Sequence, residues 1–256
     1  MSHTQDKTTA LKQGVLIGAY LTVLTVLEFL VAKTFNAVSV LVVIALVKAA
    51  LVAYYFMHIY KLNEEHEGEH DSYEYKTGTN RLGLWLFLLS DSFVFAGLLA
   101  SRFNLLGMQR PPLNQTLGLI VTCVLLVSSF LMNRAETSMA HGDLKGFLNG
   151  TLATIVLGIL FIAGVVGVEW QLAAAEGLKA SGQVVGGIFF MMTGMHAFHV
   201  LTGVIFLILV WRNARKGYFT QEQHWGVEAA AVYWHFVDLV WIFFYPALYL
   251  IGKLIG

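Results

Sequence analysis

Glu228, His235 and Asp238 lie in a stretch that opens a hydrophobic run reaching Ile255. On a helix of 3.6 residues per turn, steps of seven and three put all three on one side. A carboxylate, an imidazole and a second carboxylate on one face suit catalysis, proton transport or the holding together of an assembly. Ionisable groups inside a membrane-length helix are costly and nearly always face protein or a water-filled cavity.

A second constellation precedes it. His196, His199 and Gly203 share one side of a helix, at steps of three and four, within MHAFHVLTG. Imidazole is the commonest transition-metal ligand, so haem or metal binding must be weighed. No third ligand stands in register and no carboxylate–histidine metal motif occurs, which favours histidines hydrogen-bonded to carbonyls or carboxylates. We therefore expect His196, His199 and His235 to form one polar patch between the sixth and seventh helices, with Glu228 and Asp238 as acceptors.

Three more groups lie at membrane depth. In the third helix Asp91 stands beside Gly83, Ser90 and Gly97, small residues recurring every seven positions. Such a stripe lets another helix approach closely, so Asp91 is expected at a helix seam or cleft edge. Lys48, near the middle of the second helix, sits about six residues deeper than Glu28 of the first, roughly 9 Å at the helical rise. Its long stem can close part of that gap, so Lys48 pairs with either Glu28 or Asp91. Near the inner surface, Arg212, Arg215, Lys216 and His224 flank Trp225. These cations suit an anionic lipid headgroup, or serve only to fix topology.

The elements that must position these residues follow from composition. Of 256 residues, 57% are hydrophobic and 12% charged, half the charge of an ordinary soluble domain. The formal net charge is zero, which gives no basic surface for nucleic acid. Cys123 is the one cysteine, in an apolar run, and reads as a packing residue. Seven segments reach the length a bilayer requires: Gly14–Ala32, Val38–Tyr60, Leu82–Ser101, Leu113–Met132, Phe147–Val168, Gln183–Trp211 and Ala229–Leu250. The first is too long for a signal-peptide core and reads as a retained helix. An all-α, polytopic membrane helix bundle is the natural solution. With the N-terminus inside, Lys and Arg divide ten to five in favour of the inner side, which sets the N-terminus in the cytoplasm and the C-terminus outside.

The acidic stretch Lys61–Asn80 divides the chain into a two-helix hairpin (1–60), a linker (61–80) and a five-helix block (81–256). His66 and His70 within it stand four apart, but nothing completes a metal site and a solvated linker is the better reading. A free-standing proton-coupled transporter remains a rival for the whole chain. Against it, no inverted repeat or Gly/Pro-broken helix pair is evident.

The run EAAAVYWHFVDLVWIFFY, Glu228–Tyr245, closely resembles the last helix of subunit III of haem-copper terminal oxidases. MHAFHVLTG, Met195–Gly203, resembles its sixth helix, LWLFLLSDSFVFAG, Leu84–Gly97, its third, and Gly167–Trp170 the end of its fifth. That family usually has Glu where Asp91 stands; Asp is familiar from quinol oxidases and some bacterial cytochrome oxidases, so the donor, cytochrome c or a quinol, stays open. LTVLEF, Leu24–Phe29, and KAALVAYYFMH, Lys48–His58, instead resemble the small subunit IV of bacterial oxidases, which makes the chain look like a fusion.

The resemblance implies a non-catalytic subunit of the bacterial cytoplasmic membrane. Haem and copper would reside in partner subunits I and II, with no cofactor in this chain. Phospholipid would occupy a cleft between helix groups, and the subunit would support proton uptake, alone or within a larger respiratory supercomplex. Asp91, His196, His199, Glu228, His235 and Asp238 match the family's polar positions. Lys216 and His224 match its basic positions near lipid headgroups.

Overall fold

The computed structural model describes residues 7–34, 38–58 and 73–254. Within them lie seven helices long and apolar enough to cross a membrane. They are α1 (Lys7–Thr34), α2 (Val38–Phe56), α3 (Tyr73–Leu106), α4 (Gln115–Ala140), α5 (Leu144–Ala175), α6 (Val184–Arg215) and α7 (Trp225–Leu250). His66, His70 and the acidic residues through Ser72 lie outside the described residues.

The third helix begins earlier than its hydrophobicity implies. Tyr73–Asn80, expected as linker, form its first two turns. Hydropathy marks the bilayer core, whereas a helix continues past it wherever its backbone bonds remain satisfied. At 34 residues and about 1.5 Å per residue, α3 projects well beyond the apolar layer.

Helix ends are set locally. Asn114 accepts from the Thr116 and Leu117 amides, both at 3.1 Å, and caps α4. Asp143 accepts from the Gly146 amide at 2.8 Å and caps α5. Between α4 and α5, Gly142 takes φ +75°, a left-handed conformation that closes the reversal without a Cβ penalty. The two helices then run close, since a Cβ on Gly150 would lie 2.9 Å from the Ala135 Cβ.

The last helix is the centre of the bundle. Nearly every residue from Ala230 to Ile251 is buried, against α4 and α6 along its length and against α2 and α3 at its flanks. Trp234 fixes this packing as a wedge. A Cβ on Gly158 of α5 would lie 2.5 Å from its ring, and one on Gly203 of α6 2.9 Å. Its indole N–H is satisfied by Ser128 of α4 at 3.1 Å. The α1–α2 hairpin docks on the α4 side, with α1 against α4 and α2 against α7.

Three helices end in or pass through wider π turns, at Val52–Phe56, Ala163–Glu169 and Pro246–Leu250. In the last, Pro246 supplies no N–H and its ring crowds the preceding turn, so a local change of winding is expected. The fold is all-α apart from one two-residue parallel bridge, Gln109–Arg110 against Lys253–Leu254.

Candidate functional site

The polar residues expected to gather as one patch separate into distinct seams around α7. His196 is fully buried and its Nε2 donates to the Val237 carbonyl of α7 at 3.0 Å. Its ring lies among Phe161 and Trp241, at 5.4 and 4.8 Å between centroids. It packs, and among the described residues no acidic side chain accepts from it.

His199 turns the other way, toward α3. Its Nδ1 donates to the Met195 carbonyl of its own helix at 2.8 Å, which points Nε2 at Asp91 Oδ2, 3.1 Å away. The contact is off the axis of a well-aligned hydrogen bond, since Asp91 Oδ2 otherwise finds no partner. With Nδ1 bonded to the Met195 carbonyl, Nε2 is the ring nitrogen that faces the carboxylate. Asp91 therefore sits at a helix seam, but the small-residue stripe beside it does not. Gly83, Ser90 and Gly97 are exposed, and a Cβ at either glycine would meet nothing within 4 Å. One residue along a helix turns by about 100°, which is enough to separate the two faces.

Glu228 stands at the start of α7 and is held by α3. Arg81 Nη2 reaches its Oε2 at 3.1 Å, His224 Nε2 lies 3.7 Å from Oε1, and the guanidinium sits 5.8 Å over the Trp225 ring. The Trp225 amide donates to the Tyr73 hydroxyl at 3.0 Å. The first turns of α3 thus clamp the head of α7. Beside the clamp is a hollow of about 10 Å³ whose lining includes His58, Arg81, Glu136 and Glu228.

His235 and Asp238 face α4 and the hairpin instead of α6. Ser129 Oγ is 2.6 Å from His235 Nδ1 and also hydrogen-bonds Asp238, while Phe56 of α2 packs 5.1 Å from the imidazole. Lys48 Nζ reaches Glu28 Oε2 at 2.5 Å, both side chains sealed from solvent. This corrects the alternative pairing of Lys48 with Asp91, whose partner is His199. Arg212, Arg215 and Lys216 are exposed on one face, with Arg215 stacked 4.8 Å over Trp211. His224 is half-buried and turned toward Glu228.

Several buried polar residues have no structural role in the sequence reading, where Glu169 enters only as part of the fifth helix's end. Arg102 of α3 is fully buried and donates to the carbonyls of Ala247, Gly107, Gln109 and Ile251 at 2.6, 2.7, 2.8 and 2.9 Å. The Tyr249 hydroxyl donates to Glu169, which joins α7 to α5. Glu136 is buried near the end of α4. Their signal was present as ionisable residues next to apolar runs, but Arg102 looked like a flanking topology charge and Glu136 lay past the expected end of its helix.

Between α3 and α7 lies an apolar groove of about 220 Å³, floored by Phe95, Ala96 and Leu99 on one side and Phe236, Leu239 and Phe243 on the other. Its one hydroxyl, Ser92, donates to the Leu88 carbonyl and offers the groove no donor. Asp91 adjoins this groove in sequence and His199 in space, since Phe95 packs 4.7 Å from the His199 ring. Among the described residues no three His, Cys, Asp or Glu side chains gather as a metal-holding group.

The profile of the cytochrome c oxidase subunit III family matches residues 9–253. The chain belongs to the cytochrome c oxidase subunit III family. It is 34% identical over 179 residues to cytochrome c oxidase subunit 3 of Thermostichus vulcanus, covering 67% of this chain and 87% of that protein. Against the subunit 3 of Equus caballus it is 37% identical over 190 residues, covering 68% and 70%, and the Felis catus protein gives 38% over the same length. The seven apolar helices make this subunit III family member a multi-pass membrane protein. The family match runs through α1 and α2 as well as the five later helices.

Proposed function

We propose that this chain is a non-catalytic accessory subunit of a respiratory haem-copper oxidase. In this reading it packs on subunits I and II, which carry the haem and copper that reduce oxygen. It sits in the bacterial cytoplasmic membrane, N-terminus inside, and residues 1–60 act as a subunit IV-like hairpin joined through 61–80 to the 81–256 bundle. Family membership supports the assignment to an oxidase, and the apolar groove carries the more detailed part.

A trough of aromatic and aliphatic side chains between two membrane helices, with no unmet donor, suits a phospholipid acyl chain. Arg212, Arg215 and Lys216, with His224 beside them, supply cations for lipid headgroups at the inner surface. Asp91 and His199 tie α6 to the α3 wall beside the groove, so their role is to keep the lipid site and the adjoining proton-uptake surface in shape.

The test is native purification in mild detergent, followed by subunit identification, a haem spectrum and lipid analysis. The chain should co-purify with haem-bearing subunits and with phospholipid, and should show no haem absorbance alone. Stoichiometric haem in the isolated polypeptide would overturn the reading.

A further inference from the structure

A second polar seam runs where α1 and α2 meet α4 and α7, away from the groove and from Asp91 and His199. Its α7 members lie on one stripe, His235, Asp238 and Tyr245, at steps of three and seven. The Ser129 hydroxyl stands between the first two, 2.6 Å from His235 Nδ1 and hydrogen-bonded to Asp238.

A hydroxyl has one proton to donate, so this chain has a direction. An ionised Asp238 only accepts, which makes Ser129 its donor. His235 must then donate Nδ1–H to Ser129 Oγ, leaving Nε2 with a bare lone pair. Both ends of the chain are open. His235 Nε2 and Asp238 Oδ2 are buried and find no hydrogen-bond partner among the described residues, and the same is true of Glu28 Oε1 and Tyr245 Oη.

Charge points to what is missing. The Lys48 ammonium lies within electrostatic range of Asp238 while bonded to Glu28. Cys123 of α4 and Tyr245 also lie within electrostatic range of its charged groups. Two carboxylates against one ammonium leave a net negative charge sealed at membrane depth, which is expensive. One bound proton cancels it.

The His58 end of the seam is where such a proton would enter. His58, at the end of α2, is the imidazole that His235 feels electrostatically. It also lines the small hollow shared with Glu136 and Glu228. At about 10 Å³ that hollow is close to the room one water molecule needs, roughly 10–15 Å³.

We propose that the hairpin–bundle seam is a proton-binding site, holding one exchangeable proton on Asp238 that arrives from the His58 end through His235 and Ser129. An incoming proton bonds to His235 Nε2. The Nδ1 proton passes to Ser129 Oγ as the Ser129 hydroxyl proton passes to Asp238. Imidazole and hydroxyl end neutral, Asp238 becomes a carboxylic acid, and no electrons move. This role needs neither lipid in the groove nor the redox partners, so it stands or falls separately from the proposed function.

Infrared spectroscopy of the purified membrane complex containing this chain, in H2O and D2O, reads the site directly. We expect a protonated-carboxyl band that shifts in D2O and vanishes in Asp238→Asn. In Ser129→Ala the band should remain but exchange about tenfold more slowly or worse, equal to 1.4 kcal/mol or more on the barrier. Ser129→Thr, which keeps the hydroxyl, should restore the rate; packing alone would not separate the two. A band untouched by Asp238→Asn overturns the proposal. So does exchange in Ser129→Ala as fast as in the unaltered chain, a readout that survives if Asp238→Asn fails to assemble.

Discussion

Lys48 of α2 reaches Glu28 of α1 at 2.5 Å, and neither side chain meets solvent. The pair fastens the hairpin at a depth where water cannot substitute for a lost partner. Removing one member of a buried pair typically costs about 3–5 kcal/mol, because the other charge is left uncompensated. We expect Lys48→Met to lower the thermal midpoint of the complex and loosen the hairpin. Lys48→Met with Glu28→Leu should recover most of the loss. Equal destabilisation by the single and double variants would mean that the charge pair is not what holds α1 to α2.

Asp91 and His199 join α3 to α6 beside the apolar groove. Among the described residues neither belongs to a metal-holding group, and the contact they make is one between helices. Asp91→Ala should therefore leave the initial rate of oxygen consumption near that of the unaltered oxidase. It should reduce the number of turnovers completed before inactivation and the phospholipid retained on purification. Asp91→Glu should preserve both. Immediate loss of turnover in an intact, lipid-loaded complex would refute this assignment.

How far the sequence reveals this arrangement differs from residue to residue. The interior of α5 has no ionisable side chain from Phe147 to Val168, so its span is unambiguous. The stripe of Glu228, His235 and Asp238 follows from helical spacing alone. Its destination does not, because spacing gives a face and not the helix that covers it. His196 and His199 are three residues apart, yet one meets α7 and the other α3. The α4 hydroxyls are least legible. Thr122, Ser128 and Ser129 look inert in the uncharged span Leu113–Met132, yet they receive Trp241 and Trp234 and pair with His235. Their importance comes from partners more than 100 positions away.

Trp234 fills the space that side chains on Gly158 and Gly203 would need. The nearest atoms belong to a rigid ring that is also held by Ser128, so they cannot yield cheaply. Gly203→Ala and Gly158→Ala should each cost about 1–3 kcal/mol by overpacking. Trp234→Ala should cost about 3–5 kcal/mol by leaving a cavity. Combining Gly203→Ala with Trp234→Phe should lose less than the sum, since both act on one space. Unfolding midpoints in detergent test this, and strict additivity would rule out the wedge.

Arg102 directs four of its five N–H donors to the protein's own backbone. Its guanidinium collects four carbonyls, two from the end of α7 and its following turn and two from the loop after α3. The same region is tied by the pairing of Gln109–Arg110 with Lys253–Leu254. At Gly252, φ is +108° and a Cβ would lie 2.6 Å from the Met108 carbonyl oxygen. A planar fork with five N–H groups suits this geometry; a lysine, with three donors on a point charge, cannot span it. Hydrogen bonds from a charged group contribute about 1.5–3 kcal/mol each, and buried carbonyls left without a donor add to the loss. Arg102→Met should therefore lower stability by several kcal/mol, and Arg102→Lys should recover little. Gly252→Ala should act at the same place through backbone strain of about 1–3 kcal/mol. In all three variants, protease cleavage within 107–114 and after residue 250 should rise before the core of the bundle opens. Normal protection of both segments in Arg102→Met would show that the guanidinium does not close this end of the bundle.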